Sequence, residues 1–435
     1  MSYLIINGGK KLHGSIENQS AKNSAVAILC ACVMIKGKTT LVDMPQIEEV
    51  NRIIELLQSI GVKIKWLDKG RLEVDASEPL HIDKIDRNAS AKTRASIFLW
   101  GALAGRVKEY KIPKSGGCHL GERTVRPHWY ALEKFGVKVE SQSGYYIVKN
   151  SNLKSAKVVM YESGDTTTEN AVMAAVLSPG SKSILKMASA NYMVQDLCYF
   201  LIKAGAKIKG IGSTTLEIEG ISKLKPVKNY SIMPDPIVAM TFIAAGITTG
   251  SNITIKSCPL EFLELELCKL EVMGQKFKIL NERKSKNSKF ILVDIEILPS
   301  KLLALPDKIY GRPFPGLNID NLPLFIPILT QAHGRTLVHD WAYENRAVHA
   351  LELQKLGAEV TLLDAHRLWV EGPIKFSPNE VICPPALRPA VNILICMLAA
   401  SGKSILRNTY AIDRGYENLY ATLNSVGADI KIINE

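Results

Sequence analysis

The chain has 435 residues, more than one ordinary core accommodates, so its length predicts two domains. Hydrophobic residues make up 47% and charged residues 22%, the balance of a globular chain, and no apolar stretch reaches the ~18 residues that a spanning helix needs. The net charge of +12 attracts anions without naming them, but aromatics are only 7% and no cluster interleaves them with lysine and arginine, which argues against nucleic acid as the partner.

Along the chain, the first segment has a strand pattern, SYLIIN at 2–7. Met1–Lys10 lacks the succession of basic region, apolar run and small-residue cleavage site, so no secretory signal is expected and the expected location is cytoplasmic. One phrase then recurs six times: an alanine-rich helix, apolar on nearly every side and therefore buried all round, closed by glycine and followed by a strand. The six are AKNSAVAILCACVMIKG, AKTRASIFLWGALAG, TTENAVMAAVLSPG, PIVAMTFIAAGITTG, NLPLFIPILTQAHG and LRPAVNILICMLAASG. After each comes an amphipathic helix, a second glycine and a short alternating strand: LLQSIGVKI, LEKFGVKV, LIKAGAKI, LEVMGQKF, LQKLGAEV and LNSVGADI. The second glycines are Gly61, Gly136, Gly205, Gly274, Gly357 and Gly427, each fitting a helix C-terminus that needs a left-handed turn. A hairpin such as KIKGIGSTTLEIEG completes the repeat. The sixth repeat stops short of its last strand, and SYLIIN at the other end has the pattern to supply it. Two domains of three repeats are expected, residues 21–230, and residues 1–20 with 231–435, the latter closed by both termini. Domains that close on themselves predict a monomer.

Cys30, Cys32, Cys198, Cys268 and Cys396 fall in apolar helical runs and read as small core residues. No CxxC pair or histidine–cysteine cluster has zinc spacing, so no disulfide, metal or other cofactor is expected. The second repeat is the longest between its two glycines, Gly105 and Gly136, and its extra residues fall in a loop at about 106–131. There Ser115-Gly116-Gly117 precede Cys118, with Lys111, Lys114, Arg123 and Arg126 close in sequence. A thiol in basic surroundings is a candidate acid or nucleophile.

Long polar side chains open the buried helices, where packing has no use for them: Lys22-Asn23, Lys92-Thr93-Arg94, Thr168-Glu169-Asn170, Asp235, Asp320-Asn321 and Arg388. Thr168, Asn170 and Asp235 admit two readings, helix capping and ligand contact. Lys22, Arg94 and Arg388 do not suit capping, because a cation at a helix N-terminus opposes the dipole; they predict an anion partner.

The motifs SAKNSA (20–25), KTRAS (92–96), GGCHLGER (116–123), TENAVMAAVL (168–177), FP ahead of Asp320, ENR (344–346) and IDRGYE (412–417) resemble the bacterial UDP-N-acetylglucosamine enolpyruvyl transferases, which begin peptidoglycan synthesis. The resemblance runs nearly end to end. It implies an α/β fold, an inside-out α/β barrel of two domains with three repeated units each around buried helices, and an active site between the domains. By resemblance, Lys22, Arg123 and Arg414 bind phosphoenolpyruvate, with Arg94 and Arg388 as further arginines at that site. Asn23 and Asp320 hold the acceptor hydroxyl, Asp320 taking its proton, and Cys118 protonates the methylene carbon. The implied partners are phosphoenolpyruvate and a nucleotide-linked acceptor, UDP-N-acetylglucosamine. The residue types suit the reaction: a compact polyanion needs several fixed cations, and one acid and one base suffice for addition and elimination. A shikimate-phosphate enolpyruvyl transferase would share the fold, but the cysteine loop and IDRGYE argue against it.

Several positions depart from the pattern: Glu48 for a lysine, Arg126-Pro127 for an acid and an aliphatic residue, Thr166-Thr167 for Gly-Ala, Pro236 and Val238 for an arginine and a glutamate, and Ala386 for an acid. Most lie on the acceptor side. They leave open a paralogue acting on another nucleotide such as uridine monophosphate, and loss of catalysis; the basic charge leaves a non-catalytic basic binding protein as the reading from another class.

Overall fold

The computed structural model describes residues 2–114, 124–150, 152–178, 180 and 182–434. They group into two compact units, one of residues 20–114 and 124–233 (the continuous unit) and one of residues 2–19 and 234–434 (the discontinuous unit). Among the described residues the strands form six sheets, one to each repeat. Five share one order. An edge strand runs parallel to the strand after the buried helix; the return strand of the hairpin comes next, and the strand after the outer helix lies last. The second repeat has the same three central strands without the parallel edge. In the sixth, Ser2–Gly8 takes the return position, antiparallel to both Gly402–Arg407 and Ile430–Asn434. Its alternation turns Leu4 and Ile6 fully inward.

In the continuous unit, Lys22–Ala31, Leu99–Ala102 and Asp165–Val176 form the core, Leu99–Ala102 packing on each of the other two. In the discontinuous unit the three are Pro236–Thr248, Phe325–Leu329 and Leu387–Ala399, packed against one another. Every residue of Pro236–Thr248 is buried, as a sequence without a polar face requires. Two of the six depart from a single helix. In the second repeat Arg87–Lys92 ends at Thr93, which is extended; the Thr93 hydroxyl accepts from Ala95 N at 3.0 Å and restarts the chain as a 3-10 turn, Arg94–Phe98. In the fifth, Pro323 and Pro327 each withhold an N–H, and a 3-10 turn, Leu322–Leu324, precedes the short helix.

The outer helices end as the glycines predict. Gly61, Gly136, Gly205, Gly274, Gly357 and Gly427 all have positive φ, between 84° and 104°. One core assignment is corrected. Cys268 is exposed, because it lies on the solvent side of the Glu264–Val272 helix, whereas Cys30, Cys32, Cys198 and Cys396 are buried. No helix among the described residues is long and apolar enough to cross a membrane.

Candidate active site

In the continuous unit, Lys22 is the first residue of its helix, half-buried, with no acidic residue in that turn. Beside it the Asn23 amide donates to the hydroxyl of the buried Tyr192 at 3.1 Å, which helps fix the carboxamide. Arg94 opens the 3-10 turn made by Thr93, and its Nη2 donates to Thr124 O at 3.4 Å. Thr93 in turn donates to the buried carboxylate of Glu49.

His128 stands near Arg94 in a small polar network. The Asn170 carboxamide is oriented by Gly101 N, which donates to its Oδ1 at 2.9 Å, so its amide faces His128 Nδ1 at 3.2 Å. That leaves the imidazole proton on Nε2, 3.4 Å from the Thr166 hydroxyl. Burial, with the Arg94 charge adding to it, pushes the His128 pKa down to about 3, so the ring is neutral. Asn170 therefore has a structural task. So does Thr168, whose hydroxyl donates to Gly164 O at 2.8 Å and accepts from Ser189 N at 2.9 Å.

In the discontinuous unit, Asp235 caps its helix: Oδ1 accepts from Ile237 N at 2.7 Å and Val238 N at 3.4 Å. Asp320 sits on a loop that is fixed twice over. Glu266, 3% exposed, accepts from Asn318 N at 3.1 Å and from the Asn321 amide at 2.8 Å, while Asn318 Oδ1 accepts from Asp320 N at 2.9 Å. Arg346 then reaches the Asp320 carboxylate at 3.3 Å with Nη1. The same guanidinium donates to both Asp340 oxygens, at 2.5 and 2.9 Å, and to Ile319 O at 2.7 Å. Burial pulls the Arg346 pKa down, but the Asp340 carboxylate outweighs it and keeps the group charged.

Arg388 lies in the first turn of its helix, 6% exposed, and its Nη1 donates to the Tyr416 hydroxyl at 2.5 Å. Arg414 and Tyr416 flank Gly415, which packs closely on Leu387, the residue beside Arg388: a Cβ there would fall 2.4 Å from Leu387 Cδ2. Glu417 is tied to Gln19 by two hydrogen bonds, Gln19 Nε2 to Glu417 O and Glu417 N to Gln19 Oε1.

Each unit thus gathers its own share of the sequence-predicted residues: Lys22, Asn23 and Arg94 in one, Asp320, Arg388 and Arg414 in the other. Cys118 and Arg123 lie outside the described residues. Of the departures, Glu48 pairs with Arg52 at 2.9 Å in a helix first turn, where an acid suits the dipole, and Ala386 is a buried N-cap without a capping side chain. The residues that sequence reasoning assigned no role are Arg346, Tyr416, Glu266 and Tyr192. The first two lie inside ENR and IDRGYE, which was a signal; the other two had none.

A family profile describing EPSP synthase (3-phosphoshikimate 1-carboxyvinyltransferase) matches residues 6–423. The chain is 33% identical to a "UDP-N-acetylglucosamine 1-carboxyvinyltransferase 2" of Caldanaerobacter subterraneus subsp. tengcongensis over 430 residues, 99% of each chain. It is 31% identical to a UDP-N-acetylglucosamine 1-carboxyvinyltransferase of Campylobacter hominis over 436 residues, all of both chains. Among solved structures, the enolpyruvyl transferase NikO from Streptomyces tendae superposes with a TM-score of 0.85 at 22% identity, covering 100% of this chain and 99% of that one. An EPSP synthase from Acinetobacter baumannii gives 0.74 at 18% identity, with both chains fully covered. These two show the fold, that of the enolpyruvyl transferases. With the profile spanning nearly the whole sequence and full-length relatives above 30% identity, the chain belongs to the carboxyvinyl (enolpyruvyl) transferase family of enzymes, on its UDP-N-acetylglucosamine 1-carboxyvinyltransferase branch.

Proposed function

We propose that the protein transfers the enolpyruvyl group of phosphoenolpyruvate to a hydroxyl of UDP-N-acetylglucosamine, releasing phosphate, as the opening step of peptidoglycan synthesis. The observation that carries this reading is the agreement, along 99% or more of both chains, with relatives named for that transfer. In this reading Lys22, Arg94, Arg123, Arg388 and Arg414 hold the phosphate and carboxylate of phosphoenolpyruvate. Cys118 gives a proton to C3, which makes C2 electrophilic. The acceptor hydroxyl, oriented by Asn23, loses its proton to Asp320 as its oxygen bonds to C2. Loss of a C3 proton then restores the double bond and expels phosphate. The fixed Asp320 loop and its Arg346 contact support the general-base role, since a base must hold its geometry against the hydroxyl. The same reading makes the protein a cytoplasmic monomer without a cofactor.

The test is incubation with phosphoenolpyruvate and, in parallel, UDP-N-acetylglucosamine, UDP-glucose, uridine monophosphate and shikimate 3-phosphate, following phosphate release and product mass. Enolpyruvyl-UDP-N-acetylglucosamine, lost in Arg414→Ala, is the expected product. Turnover with another acceptor alone would overturn the acceptor and assign Thr166, Thr167, Arg126, Pro236 and Val238 to altered specificity. Binding of phosphoenolpyruvate without turnover of any acceptor would overturn the activity and point to Ala386.

A further inference from the structure

We propose that Tyr416 is a positioning residue for Arg388, holding it through a one-way chain of hydroxyls and thereby setting the affinity for the anionic substrate. The substrate role of Arg388 rests on the function proposed above; the chain itself rests on geometry alone.

Arg388 is in an awkward place. It is 6% exposed, in the first turn of a helix that carries no acidic residue there, and the helix dipole repels its charge. A buried guanidinium needs acceptors with good geometry. The Tyr416 hydroxyl supplies one, 2.5 Å from Nη1, and the Tyr416 ring centroid lies 5.3 Å from the guanidinium carbon. Tyr416 is itself 4% exposed, and its hydroxyl is also 2.7 Å from Thr241 Oγ1, which is 2.9 Å from Ile237 O.

Proton arithmetic fixes the direction of this chain. The guanidinium can only donate, and the Ile237 carbonyl can only accept. The phenol has one proton; having accepted from Arg388, it gives that proton to Thr241, whose own proton goes to Ile237 O. Each bond polarises the next in the same sense, so the phenol oxygen is a better acceptor for the guanidinium than an isolated tyrosine would be. The Pro236–Thr248 helix thereby anchors a cation carried by Leu387–Ala399. The Tyr416 contact helps fix the plane of the guanidinium, and a fixed orientation is what recognition of a phosphate or carboxylate requires.

The experiment pairs kinetics with a stability cycle on the full-length protein. Tyr416→Phe keeps the ring and loses the acceptor. The KM for phosphoenolpyruvate should rise about tenfold, as expected for one charge-assisted hydrogen bond, while kcat and the KM for UDP-N-acetylglucosamine stay within about twofold, because uniform binding is lost. Thr241→Val should raise the same KM less, and Thr241→Ser should restore it. The losses of melting temperature in Tyr416→Phe and Thr241→Val should be non-additive in the double variant. An unchanged phosphoenolpyruvate KM in Tyr416→Phe, or additive melting losses, would overturn the proposal. If the wild-type protein turns over no acceptor, the proposed function fails, and the melting cycle alone still decides whether the chain of hydroxyls exists.

Discussion

Arg346 donates to Asp340, Asp320 and a backbone carbonyl at once, with a side chain only 2% exposed. Removing it strands the buried Asp340 carboxylate, so Arg346→Ala should cost about 3–5 kcal/mol of stability, read from denaturant midpoints. Asp320 is a different case: its side chain is 30% exposed, and Asp320→Asn should change stability by less than about 1 kcal/mol while abolishing turnover. A second residue-scale consequence concerns pH. His128 is neutral when folded, with a pKa near 3, and takes a proton near 6.5 when unfolded. Between those values the unfolded chain binds the extra proton, so stability from this group is present above about pH 6.5 and falls as the pH drops toward 3. Chemical denaturation at pH 7 and pH 5 should show a loss that His128→Gln removes; equal losses in both proteins would refute this assignment. Lys22, Arg94 and Arg388 could be singled out because long cations have no packing reason to open an apolar helix, whereas the roles given to Arg414 and Asp320 came from the resemblance alone. What orients them was not. Arg346, Tyr416 and Glu266 act across tens or hundreds of residues of sequence, and Ala386 shows the reverse, a missing side chain visible only against a pattern.

The repeats can be read from glycines because a helix that must turn back into a strand leaves few other choices at that point. Gly136 and Gly205 have similar left-handed backbones, φ 89° and 104°, but differ in surroundings. A Cβ on Gly136 would lie 2.4 Å from Asn152 O, whereas on Gly205 it would meet nothing within 4 Å. Gly205→Ala should therefore cost only the backbone strain, about 1–2 kcal/mol, and Gly136→Ala clearly more; equal melting losses would contradict this. Helix interiors were less legible than helix ends. The second buried segment breaks at Thr93, where a side-chain acceptor outcompetes a continuous helix, and the fifth is shortened by prolines already present in NLPLFIPILTQAHG. Cys268 was assigned to the core because its neighbours are apolar in sequence, but the Glu264–Val272 helix turns it outward.

At the scale of the molecule, the decisive strand is the first one. SYLIIN was legible as the missing piece of the sixth repeat because a hairpin without its return strand leaves a sheet incomplete, and Ser2–Gly8 indeed lies between Gly402–Arg407 and Ile430–Asn434. Deleting residues 2–8 removes an inner strand and its buried Leu4 and Ile6, so the truncated chain should lose cooperative unfolding of the discontinuous unit, seen as early proteolysis within 234–434. The placement also has a temporal consequence. In chain order Ser2–Gly8 precedes both of its partner strands, Gly402–Arg407 and Ile430–Asn434, by most of the described sequence, so its pairing waits until they have been made. The 20–233 segment contains all the partners of its own sheets and can fold while the chain is still emerging. The sheet that holds Ser2–Gly8 is completed only once Ile430–Asn434 has been made, and until then a waiting β-strand is exposed to wrong partners.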